Sequence, residues 1–135
     1  MIFVDTGYLI ALTDPDDALH ARALAWARCV RGPYVTTDGV VLEFFSHFAG
    51  PVARPRALAV YDRIRLWTDW TIEPMSRDVV DAGIALFRAR PDKYWSLTDC
   101  TSFVVMADRR MTQALAYDHH FEQAGFEALL RRDPP

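Results

Sequence analysis

The sequence predicts an α/β protein, a three-layer α/β/α sandwich around a central, mostly parallel sheet of about five short strands. Short apolar runs alternate with amphipathic stretches along the whole chain. The first run, Ile2-Phe3-Val4, stops on Asp5, and a late one, Ala114-Leu115-Ala116-Tyr117, stops on Asp118. Each aspartate leads into a segment with helical character. Both therefore sit at the carboxyl end of a strand, the edge where open α/β sheets place their ligands.

Residues 2–4 form the first strand, and 7–12 a helical turn or two. Asp14-Pro15-Asp16-Asp17 is a turn with helix-start chemistry. From Ala18 to Val30, Leu19, Ala23, Trp26 and Val30 recur at helical spacing, and Gly32-Pro33 ends the run. Tyr34 to Thr37 is the second strand, and Asp38 is expected to cap a helix over 40–48. Arg56 to Trp67 is helical, and Trp70 to Pro74 is a third strand, or an edge strand given its proline. A helix over 78–89, a loop over 91–95 and a helix from Ser96 to Met106 follow. The fourth strand (114–117), a short helix (119–124) and a last strand (126–130) complete the chain. Residues 1–135 read as one domain, without repeats or linkers.

Composition narrows the function classes. At 135 residues, 51% hydrophobic and 24% charged, the chain has the balance of a globular domain with a proper core. No apolar run approaches the roughly 18 residues of a membrane span, and the N-terminus reads as a core strand with no targeting signal. The expected location is cytoplasmic. Cys29 and Cys100 lie far apart and form no metal-type pair. The net charge of −3 selects no partner. Lys93 is the only lysine among fifteen basic residues, a bias that suits planar phosphate recognition and equally reflects a GC-rich codon preference.

Four carboxylates stand out. Asp5 is either a helix cap or a ligand, with Thr6 beside it as support or as the cap itself. In the helix over 40–48, Val40, Val41, Phe44, Phe45 and Phe48 fill one broad face, and Glu43, Ser46 and His47 share the remaining one. A solvated Glu43–His47 pair is the plainer account of that stripe. Asp99 closes the capping-box pattern Ser96-Leu97-Thr98-Asp99, a structural purpose compatible with metal binding. Asp118 again is a cap or a ligand. His119 and His120 beside it, as sequence neighbours, are expected to point apart, which argues against zinc. Four ionised carboxylates cannot gather without a cation or retained protons. All-oxygen ligation favours Mg2+ or Mn2+, ions that activate water for displacement at phosphorus.

Ile2-Phe3-Val4-Asp5-Thr6, Glu43, Ser96-Leu97-Thr98-Asp99-Cys100 and the Tyr117-Asp118…Phe121…Ala124-Gly125-Phe126 segment together resemble a PIN domain, most closely the VapC-type toxins of toxin–antitoxin pairs. The likeness spans essentially the whole chain. It implies a metal-dependent endoribonuclease acting on RNA, with Mg2+ or Mn2+ as cofactor and Asp5, Glu43, Asp99 and Asp118 as the acidic quartet. Asp5 and Asp99 would be the main metal ligands. Asp118 would complete the site directly or through water, and Glu43 would bind a second ion or orient the attacking water. It further implies a homodimer, and a VapB-like antitoxin that inserts an Arg-bearing segment into the acidic groove; no DNA is expected to bind directly.

Arg88, Arg90 and Lys93, followed by Tyr94 and Trp95, are the candidate RNA contacts: cations for phosphates and aromatics for unpaired bases. A helix end with an inward-packed loop explains the same residues structurally. Other readings fit less well. A haloacid-dehalogenase-like phosphatase needs an aspartate where Gly7 stands, and a receiver domain needs a late lysine. A non-catalytic PIN-like protein- or RNA-binding module, its acids serving only as caps, is the remaining alternative.

Overall fold

The computed structural model describes residues 1–135. The elements are β1 (Ile2–Val4), α1 (Thr6–Thr13), α2 (His20–Cys29), β2 (Tyr34–Thr37), α3 (Asp38–His47), α4 (Arg54–Leu66) and β3 (Trp70–Glu73). After them come α5 (Arg77–Ala89), α6 (Leu97–Asp108), β4 (Gln113–Leu115), α7 (His119–Gln123), β5 (Glu127–Ala128) and a 3-10 turn (Leu129–Arg131). The five strands form one sheet in the order β3-β2-β1-β4-β5, every pairing parallel. Its middle strand, β1, is buried along its whole length, as expected for a parallel sheet covered on both faces. The chain runs outward from β1 through β2 to β3, then returns to the other side of β1 for β4. The order thus reverses at β1 and β4, and their carboxyl ends flank the crevice where such sheets bind ligands.

The expected strands and helices are present, with three local differences. Thr37, not Asp38, caps α3: its buried hydroxyl accepts the Val40 amide at 3.1 Å. Strand β4 stops at Leu115, because the Asp5 amide takes the Leu115 carbonyl at 3.1 Å and the chain then leaves β1 for α1. The last strand shortens to Glu127–Ala128, and Leu129 and Leu130 turn inward as a buried 3-10 turn. The segment beyond lies along α2: Trp26 Nε1 donates to the Arg132 carbonyl and Arg22 to the Leu130 carbonyl, at 3.0 and 3.1 Å.

Two helix ends fix the approach to the crevice. After α7, Gly125 takes φ +92°, its amide bonds Glu122, and the Phe126 amide bonds Phe121 at 2.9 Å. This Schellman turn sends Phe126 onto Phe103 and carries the chain into β5. The same turn ends α6, where Met111 N bonds Met106 O at 2.8 Å, but a non-glycine residue, Arg110, holds the left-handed position at φ 54°. Arg110→Gly is expected to raise stability by about 1 kcal/mol in urea titration, by relieving the Cβ strain of that conformation. Helices α5 and α6 meet closely at Gly83, where an added Cβ would lie 2.6 Å from Thr101 Cγ2 and 3.3 Å from the Thr101 amide nitrogen. Gly83→Val is expected to cost about 1–3 kcal/mol in the same measurement, since it overpacks against backbone.

Candidate active site

A cavity of about 1090 Å³ opens over the carboxyl ends of β1 and β4, and Asp5, Glu43, Asp99 and Asp118 all line it. The chain brings them there by four routes. Asp5 leaves β1, and Asp118 follows β4 by three residues. Asp99 lies in the first turn of α6. Glu43 is exposed on α3, outside the face that buries Phe44 and Phe48, and Ser46 and His47, exposed beside it, line the same cavity. The polar stripe read from helical periodicity is therefore a cavity wall.

The caps separate structural from unexplained carboxylates. Asp99 completes a full capping box: its amide bonds Ser96 Oγ, and its Oδ2 accepts the Ser96 amide, both at 3.0 Å. Asp118 caps α7 by accepting the His120 amide at 3.0 Å. Asp5 stands at the N-cap position of α1 yet makes no side-chain capping bond. It is buried at 9% exposure with no cationic side chain against it. Burial pushes its carboxyl up to about 7; the Thr6 backbone pulls it down, and the charges of Asp99, Glu43 and Asp118 push it up further. Capping does not explain a carboxylate kept in such surroundings.

Two supporting contacts join distant segments. Thr6 Oγ1 donates to Glu43 Oε1 at 2.6 Å, so the threonine beside Asp5 orients Glu43. Glu43 does not pair with His47, whose ring packs edge-on against Phe48 with centroids 4.8 Å apart. His120 Nδ1 lies 3.1 Å from Asp99 Oδ2 and 3.2 Å from Asp118 Oδ1, bridging the acids of α6 and α7. Its neighbour does not point away: the His119 and His120 rings lie 4.7 Å apart, and His119 Nδ1 is 3.4 Å from the same Asp118 oxygen. Buried Cys100 is no competing ligand, since burial, and then Asp99, push its thiol up.

The basic segment after α5 lies apart from the cavity. Arg90 pairs with Asp92 through two contacts of 3.1 and 3.2 Å and sits over the Trp95 ring, and Lys93 is 3.6 Å from the same aspartate. Arg88 is exposed in the last turn of α5. Trp95 is buried, with Nε1 donating to Gln123, so it cannot stack on a base; this corrects its reading as a stacking residue. From that segment only Tyr94 reaches the cavity, 93% exposed. The cation on the rim is Arg131, which sequence reading missed. It donates to the Tyr117 carbonyl at 2.9 Å, pairs with Glu122 at 2.6 Å and lies over the Tyr117 ring. Its only sequence signal is an arginine shortly after an apolar run, and that signal gains meaning once the 3-10 turn carries it back to Tyr117.

Against known proteins, the family described as PIN domain matches residues 2–127. The 23S rRNA-specific endonuclease VapC20 of Mycobacterium tuberculosis, in strains CDC 1551 / Oshkosh and ATCC 25618 / H37Rv, is 32% identical over 127 residues. The match spans 93% of this chain and 95% of VapC20. The crystal structure of M. tuberculosis VapC20, described as a Sarcin-Ricin loop cleaving toxin, superposes with a TM-score of 0.87 at 27% identity over 95% and 98% of the two chains. FitAcB from Neisseria gonorrhoeae superposes with a TM-score of 0.70 at 16% identity over 94% and 95%, a likeness of fold alone.

Proposed function

Because the chain belongs to the PIN domain family, we propose that it is a VapC-type endoribonuclease that hydrolyses RNA phosphodiester bonds at the acidic cavity, with Mg2+ or Mn2+ held by Asp5, Asp99, Asp118 and Glu43. The observation that carries this reading is the uncapped, buried Asp5 facing three further carboxylates. The donor set is all oxygen, which suits a hard dication. When bound, such an ion supplies the positive charge that lowers the proton affinity of a water and steadies the phosphoryl oxygens. Asp5 and Asp99 hold it, and Asp118 completes the site. His120 keeps Asp99 and Asp118 at a fixed separation. Glu43, oriented by Thr6, aligns the attacking water and accepts its proton. Arg131 meets a phosphate on one rim, and Tyr94 and Tyr117 offer exposed rings to unpaired bases. Arg88, Arg90 and Lys93 extend the RNA contact beyond the cavity.

Partners follow from the same surface. An acidic groove short of cations suits the Arg-bearing segment of a VapB-like antitoxin. Ile84 and Phe87, three residues apart on α5 and both exposed, suit a homodimer face. No helix is long and apolar enough to cross a membrane, and the proposed site of action is the cytoplasm.

The test is cleavage of varied structured RNAs by the purified protein in Mg2+. Cleavage that stops in EDTA supports the reading; cleavage that persists there refutes it, and none on any RNA favours a binding module. Thr6→Val, which frees Glu43, is expected to slow cleavage by about 10–100-fold while leaving the melting temperature nearly unchanged.

Asp5 also sets a pH dependence. Below its ordinary value of 3.8 the carboxyl is protonated in both states; between 3.8 and about 7 the unfolded chain releases a proton that the folded chain keeps. Its contribution is thus full at low pH and is lost as pH rises, by up to about 1.4 kcal/mol per pH unit. Calorimetry in EDTA should show stability falling from pH 5 to pH 7, more weakly in Asp5→Asn, with Mg2+ restoring the wild type most at pH 8.

A further inference from the structure

We infer that Asp118, His119 and His120 form a second, nitrogen-rich cation site that takes a borderline dication such as Zn2+ or Co2+. The site differs in preference from the all-oxygen quartet, although the two share Asp118. The three side chains present ligand atoms that all lie within 4.8 Å of one another. Asp118 Oδ1 is 3.2 Å from His120 Nδ1 and 3.4 Å from His119 Nδ1. Ligands about 2.0–2.1 Å from a tetrahedral ion stand roughly 3.4 Å apart. Two edges of the site therefore already have the dimensions of a zinc centre.

The reason adjacent histidines converge is local. Asp118 turns its carboxylate back to cap the His120 amide at 3.0 Å, which brings Oδ1 toward both imidazoles. That bond fixes the oxygen's direction, and an Oδ1 lone pair remains for an ion. The His120 side chain is 16% exposed, against 60% for His119, so the open side lies toward His119 and leaves room for water as a fourth ligand. Imidazole donors favour Zn2+, Co2+ or Ni2+ over Mg2+, which keeps to oxygen. An ion here draws on Asp118 and on the His120 nitrogen that spans Asp99 and Asp118. If the chain is the proposed nuclease, Zn2+ therefore opposes its Mg2+-dependent cleavage. The binding itself does not rest on that reading.

The experiment is titration of the full chain with Zn2+ by calorimetry and with Co2+ by visible absorption, in excess Mg2+, for wild type, His119→Gln and Asp5→Asn. Wild type is expected to bind one ion per chain with the Co2+ spectrum of a four-coordinate nitrogen–oxygen site. His119→Gln, at an exposed position, should fold normally by circular dichroism, keep cleavage in Mg2+, bind Zn2+ about tenfold or more weakly and lose inhibition by Zn2+. Asp5→Asn should retain Zn2+ binding. Absent Zn2+ binding, equal affinity in wild type and His119→Gln, or binding lost in Asp5→Asn would overturn the inference. Failure of the nuclease reading shows separately, as no RNA cleavage in Mg2+ while His119-dependent Zn2+ binding persists.

Discussion

Asp5→Asn is expected to lower RNA cleavage on the order of a thousandfold, beyond the roughly 10–100-fold cost of losing an outer partner of a ligand, and at the same time to make the metal-free protein more stable at pH 8. The two effects have one cause. Asp5 is buried, has no side-chain capping bond and faces three carboxylates, so its charge is unfavourable in the folded chain until a cation joins it. Asparagine has nearly the same shape and removes that charge. A residue kept for folding would behave in the opposite way, its loss lowering stability. Kinetics in Mg2+ and calorimetry in EDTA on the same preparation read both signs. Loss of activity together with loss of stability would show that the variant merely unfolds.

Asp99→Ala is expected to abolish measurable cleavage and also to destabilise the chain by about 1–2 kcal/mol, because Asp99 is both a proposed ligand and half of the capping box of α6. Ser96→Ala separates the roles. It removes the hydroxyl that caps the Asp99 amide but leaves the carboxylate, so it should cost similar stability in urea titration while retaining most activity at temperatures where it stays folded. Asp99→Asn keeps an acceptor for the Ser96 amide. It should therefore lose activity with little loss of stability.

What was legible in the sequence follows from the range of the interactions concerned. Asp5 and Asp118 announce themselves because an apolar run ending on an acid is a local pattern, and the order of a parallel sheet then brings strand ends together. The capping box at Ser96–Asp99 spans three residues, and the structure reproduces it bond for bond. Glu43 was separable from its apolar neighbours because helical periodicity divides the faces of α3. Other contacts depend on long-range placement. The bond from Thr6 to Glu43 spans 37 residues, and the contact of His120 with Asp99 spans 21. Trp95 fitted both a stacking residue and an inward-packed loop, and the choice is made by Gln123 of α7, which accepts its indole N–H from 28 residues away. The convergence of His119 and His120 fails the rule for neighbours on a helix, because Asp118 precedes the first turn and folds back over it. Arg131 reaches the cavity only because β5 ends after two residues.

The most direct measurement of the central claim is anomalous scattering from a crystal soaked in Mn2+ near pH 8. An ion peak bonded to the Asp5 and Asp99 carboxylates, with Asp118 and Glu43 beside it, is expected, and the peak should vanish in Asp5→Asn. Carboxylates of Asp5 and Asp118 that point apart with no ion between them, or a peak unchanged in Asp5→Asn, would contradict the account.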